Sequence, residues 1–446
     1  MQDFSKGKIG RQIILFSIPI VLGNLFMQLY QIVDSVIVGQ YLGKEALAAV
    51  GASTPVVFAC ISLVIGIGSG ASVVISQYFG AKDPENVRST SDTLHIFLLV
   101  MGVMVGLVGI FGSQTIFELL GLPAELIPMA SDYLEVYLGG IFTLFGFNTL
   151  IAILRGVGDS VTPLYFLILS ALINVGLDLL FIVTFGWGVA SAAWATVIAT
   201  AVAYLAMVIY INQSKKIIFH INFFDLHFNR KIFKQCVDYG LPTGIQQAFV
   251  ALGGVALMGI ANGFGTDVIA GFSAAMRVDA LAVIPSMSFA MALTSFTGQN
   301  IGAGRIDRVK KGLHKTLLFS SIVCLVITLI IVIFGHQIIS LFTTDQAVTA
   351  YGTEYLVVVS SFYILFSTMF IINGMLRGAG AMIFTMFATL IALWAIRIPT
   401  ALLLVPSIGA SGIWWSIPIG WAIGMVASIL YYRSGRWKGK SIFNKK

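Results

Sequence analysis

The chain has 446 residues, of which 58% are apolar and only 10% charged, and its 26 Lys and Arg outweigh 19 Asp and Glu to give a net charge of +7. A soluble domain keeps about a quarter of its residues charged so that its surface stays wetted. This composition therefore excludes a soluble globular protein, and the basic excess, lying in short loops between apolar runs, reflects membrane topology rather than nucleic-acid binding.

Each membrane helix needs roughly 20 apolar residues. Apolar runs separated by turn signals predict twelve spans, near 12–38, 46–79, 91–113, 126–150, 161–185 and 187–211, then 237–263, 267–298, 314–341, 350–374, 383–405 and 409–433. The second and eighth runs exceed what a bilayer requires, so tilt or extension beyond it is expected. Lys6, Lys8 and Arg11 lead into the first run with no small-residue cleavage site, which reads as an uncleaved first span.

That first span carries Pro19 and a polar stripe of Asn24, Gln28, Gln31 and Ser35, with Asp34 on its flank. Gly66, Gly68 and Gly70 in the second span permit close helix approach. They form no nucleotide site, because no strand precedes them. On the fifth span Asn174 and Asp178 are four residues apart and share one helix face. The stretch 212–236 mixes Lys and Arg with Phe219, Phe223, Phe224 and Phe228, and reads either as an amphipathic segment in the interface or as an ordinary connector. The eighth span holds Arg277 and Asp279, two apart and pointing in different directions, and the eleventh holds Arg397 just before the helix-kinking Pro399. Met258, Met276, Met287, Met291, Met369 and Met375 suit either an adaptable cavity or plain packing.

With the N-terminus placed inside, 23 of the 26 basic residues fall on the cytoplasmic side: Lys6, Lys8, Arg11, Lys82, Arg88, Arg155, Lys215, Lys216, Arg230, Lys231, Lys234, Arg305, Arg308, Lys310, Lys311, Lys315, Arg377 and six near the C-terminus, Lys445 and Lys446 among them. Only Lys44 is outside, while Arg277 and Arg397 lie within spans. Such a split predicts a multi-pass protein with both termini cytoplasmic.

An internal repeat organises the chain. Leu154-Arg155-Gly156-Val157-Gly158 recurs as Leu376-Arg377-Gly378-Ala379-Gly380, a shift of 222 that also carries Gln77, Gly80 and Ala81 onto Gln299, Gly302 and Ala303, and Tyr133-Leu134 onto Tyr355-Leu356. Pro19 has its counterpart in Pro242. The expected architecture is all-α and membrane-integral: an N-terminal six-helix lobe over 1–211, a cytoplasmic linker over 212–236 and a C-terminal six-helix lobe over 237–446. An even number of spans per half makes the repeats parallel, an arrangement transporters use to rock about a central site.

Ionisable residues inside membrane segments are functional candidates by default. Asp34 and Asp178 are the deep carboxylates of the first half, and under the repeat they fall opposite Ala256 or Leu257 and Pro399 or Thr400. The halves share turns but not carboxylates, which assigns a coupling cation to the first half. Carboxylates with amide and hydroxyl neighbours suit a proton or Na⁺, and only with Na⁺ do Asp34, Asn174 and Asp178 become metal ligands. No Walker-type motif, zinc-binding His spacing or protease motif is present, and Cys60, Cys236 and Cys324 form no disulfide framework. The chain is read as a non-enzyme without a cofactor.

Pro19 through Gln31 to Val33-Asp34 and Gly39, then Gln77-Tyr78-Phe79-Gly80-Ala81, Leu154-Arg155-Gly156-x-Gly158, Pro242, Arg277, Pro285 and Gly298-Gln299-Asn300-x-Gly302-Ala303 together resemble the multidrug and toxic compound extrusion transporters along nearly the whole length. The resemblance implies twelve helices in two lobes, a V-shaped cleft, and export of amphipathic cationic drugs from the cell membrane in exchange for H⁺ or Na⁺. It adds Thr196 to Asp34, Asn174 and Asp178 in the cation group, with Tyr133 and Asn148 beside Gln31 as polar neighbours. Some members carry a glutamate eight residues after the seventh-helix proline. Here Val250 stands there, which speaks against coupling through a second-half carboxylate, and Arg277, Asp279 and Arg397 are read as structural or substrate-lobe residues. The expected partners are small organic cations and the bilayer, with no nucleic acid, and the working form a monomer. The alternative is a lipid-linked precursor flippase of the same superfamily, which calls for more cavity cations than Arg277 and Arg397.

Overall fold

The computed structural model describes residues 1–215, 217 and 219–443, so that Lys216, Lys445 and Lys446, counted among the cytoplasmic charges, lie outside the described residues. The first half folds as α1 (Ile9–Tyr41), α2 (Lys44–Gly80), α3 (Pro84–Leu119), α4 (Ile127–Gly139), α5 (Ile141–Gly156), α6 (Val161–Asp178), which continues as a π-helical stretch over Leu179–Thr184, and α7 (Ala190–Gln213). The second half comprises α8 (Arg230–Ala261), α9 (Thr266–Ala282), α10 (Ile284–Gly302), α11 (Ile306–Ser340), α12 (Gln346–Ser360), α13 (Tyr363–Gly378), α14 (Met382–Leu390), a second π-helical stretch over Ile391–Arg397, α15 (Ile398–Ile408) and α16 (Ser411–Ser434). Among the described residues ten helices are long and apolar enough to cross a membrane, or twelve when each of two bent pairs is one span.

Those bent pairs are the fourth and tenth expected spans. α4 and α5 meet at 48°, where the Gly139-Gly140 pair loosens the helix, and α12 and α13 meet at 50°. At the second bend there is no glycine or proline. The Ser361 hydroxyl instead donates to the Val357 carbonyl at 2.7 Å, a back-bond of the kind that bends helices.

The repeat has a packing reason. A Cβ on Gly156 would stand 2.8 Å from Ile75 Cγ2 and 2.9 Å from the Ser72 carbonyl, and one on Gly378 would meet the Thr294 carbonyl and Thr297 Cβ. Ser72 and Ile75 map onto Thr294 and Thr297 under the same shift of 222, so each half crosses its second helix on the helix carrying the Leu-Arg-Gly motif through one obligatory glycine. The following glycines, Gly158 and Gly380, take φ of 80° and 93°, a left-handed turn that a side chain disfavours.

Two compact units emerge. Unit 1 is Met1–Asp3 with Leu22–Gly244, and unit 2 is Phe4–Val21 with Ile245–Lys446, so α1 and α8 each contribute to both. The core of unit 1 includes Val64, Leu98, Phe117, Leu134 and Phe145. That of unit 2 includes Phe272, Tyr355, Trp414 and Trp421, with a second cluster around Phe4, Phe16 and Phe296. The described residues of 212–236 belong to unit 1 and are tied down there. Asn212 exchanges two hydrogen bonds of 2.8 Å with the Ile221 backbone, the Asn229 N–H donates to Thr93 Oγ1 at 3.0 Å, and Phe219 is buried while Phe224 is fully exposed.

Within unit 2 the N-terminal segment is held by buried Arg308. Its Nε and Nη2 donate to the Phe4 carbonyl at 3.1 and 2.8 Å, Nη1 to Gly7 at 3.1 Å and Nη2 to Lys6 at 3.2 Å, while Gln299 Oε1 accepts from the Phe4 N–H. Hydrogen bonds to charged groups contribute about 1.5–3 kcal/mol each, and their loss strands buried acceptors. Arg308→Ala is expected to lower stability by about 3 kcal/mol, read as a fall in thermal midpoint in detergent, and to open the Phe4–Gly7 backbone to protease. An unchanged midpoint would remove the clasp from the account.

Candidate functional site

The site is built wholly within unit 1. Asp178 is the last α-helical residue of α6, and the π-helical stretch begins at the next residue. Such widened turns cluster at functional positions because they re-aim side chains and loosen the carbonyl ladder. Asn174, one turn earlier, lies on the same face, and both side chains are buried. Its Nδ2 donates to Thr196 Oγ1 at 3.2 Å, and the Thr196 hydroxyl donates in turn to the Ala192 carbonyl at 3.1 Å. α7 thus orients the amide of α6.

The other side of the site comes from α1. Asp34 is half-buried, and its carboxyl meets that of Asp178 within hydrogen-bond reach. Asp34 Oδ1, both carboxylate oxygens of Asp178 and Asn174 Oδ1 are buried with no donor. Two ionised carboxylates in contact repel, and buried charge must be paired to be tolerated. The arrangement calls for a proton or a small cation among these oxygens. Among the described residues no group of three or more His, Cys, Asp or Glu is placed to hold a metal, so the donor set here is two carboxylates, an amide and a hydroxyl. Hard oxygen donors of this kind suit an alkali cation.

An apolar cluster adjoins the pair along the same helices. Ile37, Val38, Ala46, Ile182, Val189 and Ala192 pack with Tyr133, whose ring stacks on Tyr137 with centroids 6.0 Å apart. Tyr133, Tyr137 and Tyr30 all lie in electrostatic range of Asp34. Tyr30 and Tyr137 were absent from the sequence-based candidates, although spacing carried the signal: Tyr30 precedes Asp34, and Tyr133 precedes Tyr137, by one helical turn. Gln31 and Ser35 are exposed, the Ser35 hydroxyl donating to the Gln31 carbonyl at 2.9 Å, and Asn148 Nδ2 donates to the Leu144 carbonyl at 2.9 Å.

The charged residues of the second half form a separate group in unit 2. Tyr363 donates to Asp279 Oδ1 at 2.6 Å, and Arg397, the last residue of the second π-helical stretch, lies in electrostatic range of Asp279. Arg277 is exposed and stands apart. The fifth helix of each half therefore carries a π-helical stretch with a charged residue at its boundary, an aspartate in one and an arginine in the other.

A protein-family model described as MatE matches twice, over residues 19–180 and 242–403. The Probable multidrug resistance protein YpnP of Bacillus subtilis is 33% identical over 444 residues, covering 100% of this chain and 99% of that protein. YoeA, a Probable multidrug resistance protein of the same organism, is 30% identical over 453 residues, covering 99% and 97%. Among solved structures, an outward-facing conformation of a multidrug resistance MATE family transporter of the MOP superfamily is similar with a TM-score of 0.91 at 26% identity, covering 97% of each chain.

Proposed function

The chain belongs to the MatE family of multidrug transporters, and from that premise we propose that it exports amphipathic organic cations from the cell in exchange for H⁺ or Na⁺ taken up at Asp34 and Asp178. The observation that carries the reading is the contact between these two carboxyls, with three of their oxygens buried and undonated. An incoming cation or proton neutralises the pair, and its release restores the repulsion. A site whose occupancy changes the energy of α1 against α6 biases one conformation over another, which is what alternating access requires. Asn174 supplies a further oxygen, fixed by its bond to Thr196. Tyr133 and its apolar neighbours keep the surroundings of low dielectric, where the charge difference counts most. The working form is a monomer, with both termini on the cytoplasmic side where the basic loops gather.

The lipid-linked flippase reading finds no comparable support. Arg277 is exposed and Arg397 lies beside Asp279, so neither offers a phosphate an unshared, enclosed cation.

The test is efflux of a fluorescent cation from proteoliposomes under an imposed proton or sodium gradient. Uphill efflux driven by one gradient and dissipated by its ionophore is the expected result, and transport indifferent to both gradients refutes the coupling. Asn174→Ala removes one oxygen and the Thr196 bond while leaving both carboxylates. A hydrogen bond of this kind contributes about 1 kcal/mol, so the ion concentration for half-maximal efflux should rise between about five- and tenfold with the maximal rate nearly kept. A variant that loses the maximal rate at saturating ion instead gives Asn174 a role in the moving part rather than in ion affinity.

A further inference from the structure

The segment leading into α1, the first turns of α1 and the first turns of α11 line an open cavity of about 870 Å³ within unit 2, away from the carboxylate pair. One end is cationic. Lys8 reaches it from just before α1 and Arg11 from its first turn, and Lys311 and Lys315, one turn apart and so on one face, reach it from α11. All four are exposed, and among the described residues none of them forms an ion pair. Arg308 also borders the cavity, but its guanidinium is engaged by the Phe4, Lys6 and Gly7 carbonyls, so it builds the wall and does not serve a ligand. Four exposed like charges around one cavity raise a local positive potential that favours an anion among them.

The other end is apolar. Leu15 and Phe319 line it, and Gly10 lets the ring in, since a Cβ there would stand 3.2 Å from Phe319 Cζ. Beyond these two, Ile18 and Ile322 lie one turn further along their helices, both exposed. The cationic end coincides with the sequence-predicted membrane boundary at residues 12 and 314, and the apolar end continues into the span. A ligand that satisfies both ends has an anionic head and a hydrocarbon tail.

We propose that this cavity is a binding site for an anionic phospholipid of the cytoplasmic leaflet, its phosphate held by Lys8, Arg11, Lys311 and Lys315 and an acyl chain lying against Leu15 and Phe319. Basic clusters at the end of membrane helices attract anionic lipid, and here the cluster surrounds a concavity rather than a flat surface. Occupancy joins the start of α1 to the start of α11, adding to the hold that Arg308 already has on the N-terminal segment.

The test is native mass spectrometry of the purified full-length protein in neutral detergent, titrated with phosphatidylglycerol or with phosphatidylcholine of the same acyl chains. Phosphatidylglycerol is expected to bind roughly tenfold more tightly. That preference should vanish in Lys8→Gln/Lys311→Gln/Lys315→Gln and persist in Lys8→Arg/Lys311→Arg/Lys315→Arg and in Lys231→Gln/Lys234→Gln, which removes exposed charge elsewhere. Equal binding of the two lipids, a preference that survives the triple Gln variant, or one lost equally in the Lys231/Lys234 control overturns the proposal. Displacement of phosphatidylglycerol by inorganic phosphate at equal concentration also overturns it, because the site would then read only the anion and not the tail.

Discussion

Asp34→Asn is expected to abolish uphill drug efflux, with the initial rate falling roughly 100-fold, while the protein folds and binds its drug as before. Asparagine keeps the shape of the side chain but carries neither charge nor an exchangeable carboxyl proton. With Asp34 neutral, Asp178 faces no like charge, and ion occupancy no longer separates two energies. Replacing one of two carboxyls in contact by an amide of the same size also removes their mutual repulsion. The thermal midpoint in detergent should therefore hold or rise. A midpoint that instead drops by several degrees assigns Asp34 to structure, and full-rate efflux at a normal midpoint removes it from coupling altogether. The companion Asp178→Asn should behave alike, because either carboxyl alone leaves the pair broken.

The largest stability effect is expected at a crossing of α2 and α8 inside unit 1. Gly66 and Gly70 face Gly240 and Gly244, a small-xxx-small pattern on both helices that brings backbones together. A Cβ on Gly66 would stand against Gly244 Cα and N and 2.8 Å from the Gly240 carbonyl, and one on Gly70 would stand 2.6 Å from Gly240 Cα and 2.8 Å from the Cys236 carbonyl. Backbone atoms cannot swing aside as a side-chain end does. Gly66→Ala is expected to cost about 3 kcal/mol, and Gly66→Leu to leave little folded protein. Gly51, on the same helix, has nothing within 4 Å of its added Cβ. Gly51→Ala should stabilise by about 0.5–1 kcal/mol through the lost backbone entropy of glycine. The two alanine variants, compared by thermal unfolding in detergent, separate the crossing from helix propensity. Equal midpoints would refute the close contact.

Hydrophobic runs and loop charges were enough to place the spans, because each span must satisfy its own backbone in lipid and so declares itself locally. The Leu-Arg-Gly-x-Gly repeat was equally visible. Its physical reason was not, since nothing in one dimension says that Gly156 meets Ser72 and Ile75 or that Gly378 meets Thr294 and Thr297. The bends inside the fourth and tenth spans were also hidden, one lying at an ordinary Gly-Gly pair and the other at a serine back-bond.

The sequence by itself determined which residues are candidates: carboxylates are too costly within a membrane to be incidental, so Asp34 and Asp178 stood out by residue type and depth alone. Asn174 joined Asp178 through helical spacing, which is a local property. The sequence already grouped Asp34 with Asp178 and, through the family resemblance, with Asn174 and Thr196; the tertiary structure decided the contacts among them, with Asp34 beside Asp178 and Thr196 accepting from Asn174, and that Tyr30 and Tyr137 belong to the surroundings. It alone decided that the glycines of α2 pack on those of α8, and that Arg308 is engaged by the N-terminal segment rather than free in a loop. The division has one physical cause. Periodicity and hydropathy report how a helix relates to lipid, whereas the partner a side chain meets depends on helix crossings set by packing across tens to hundreds of residues of chain.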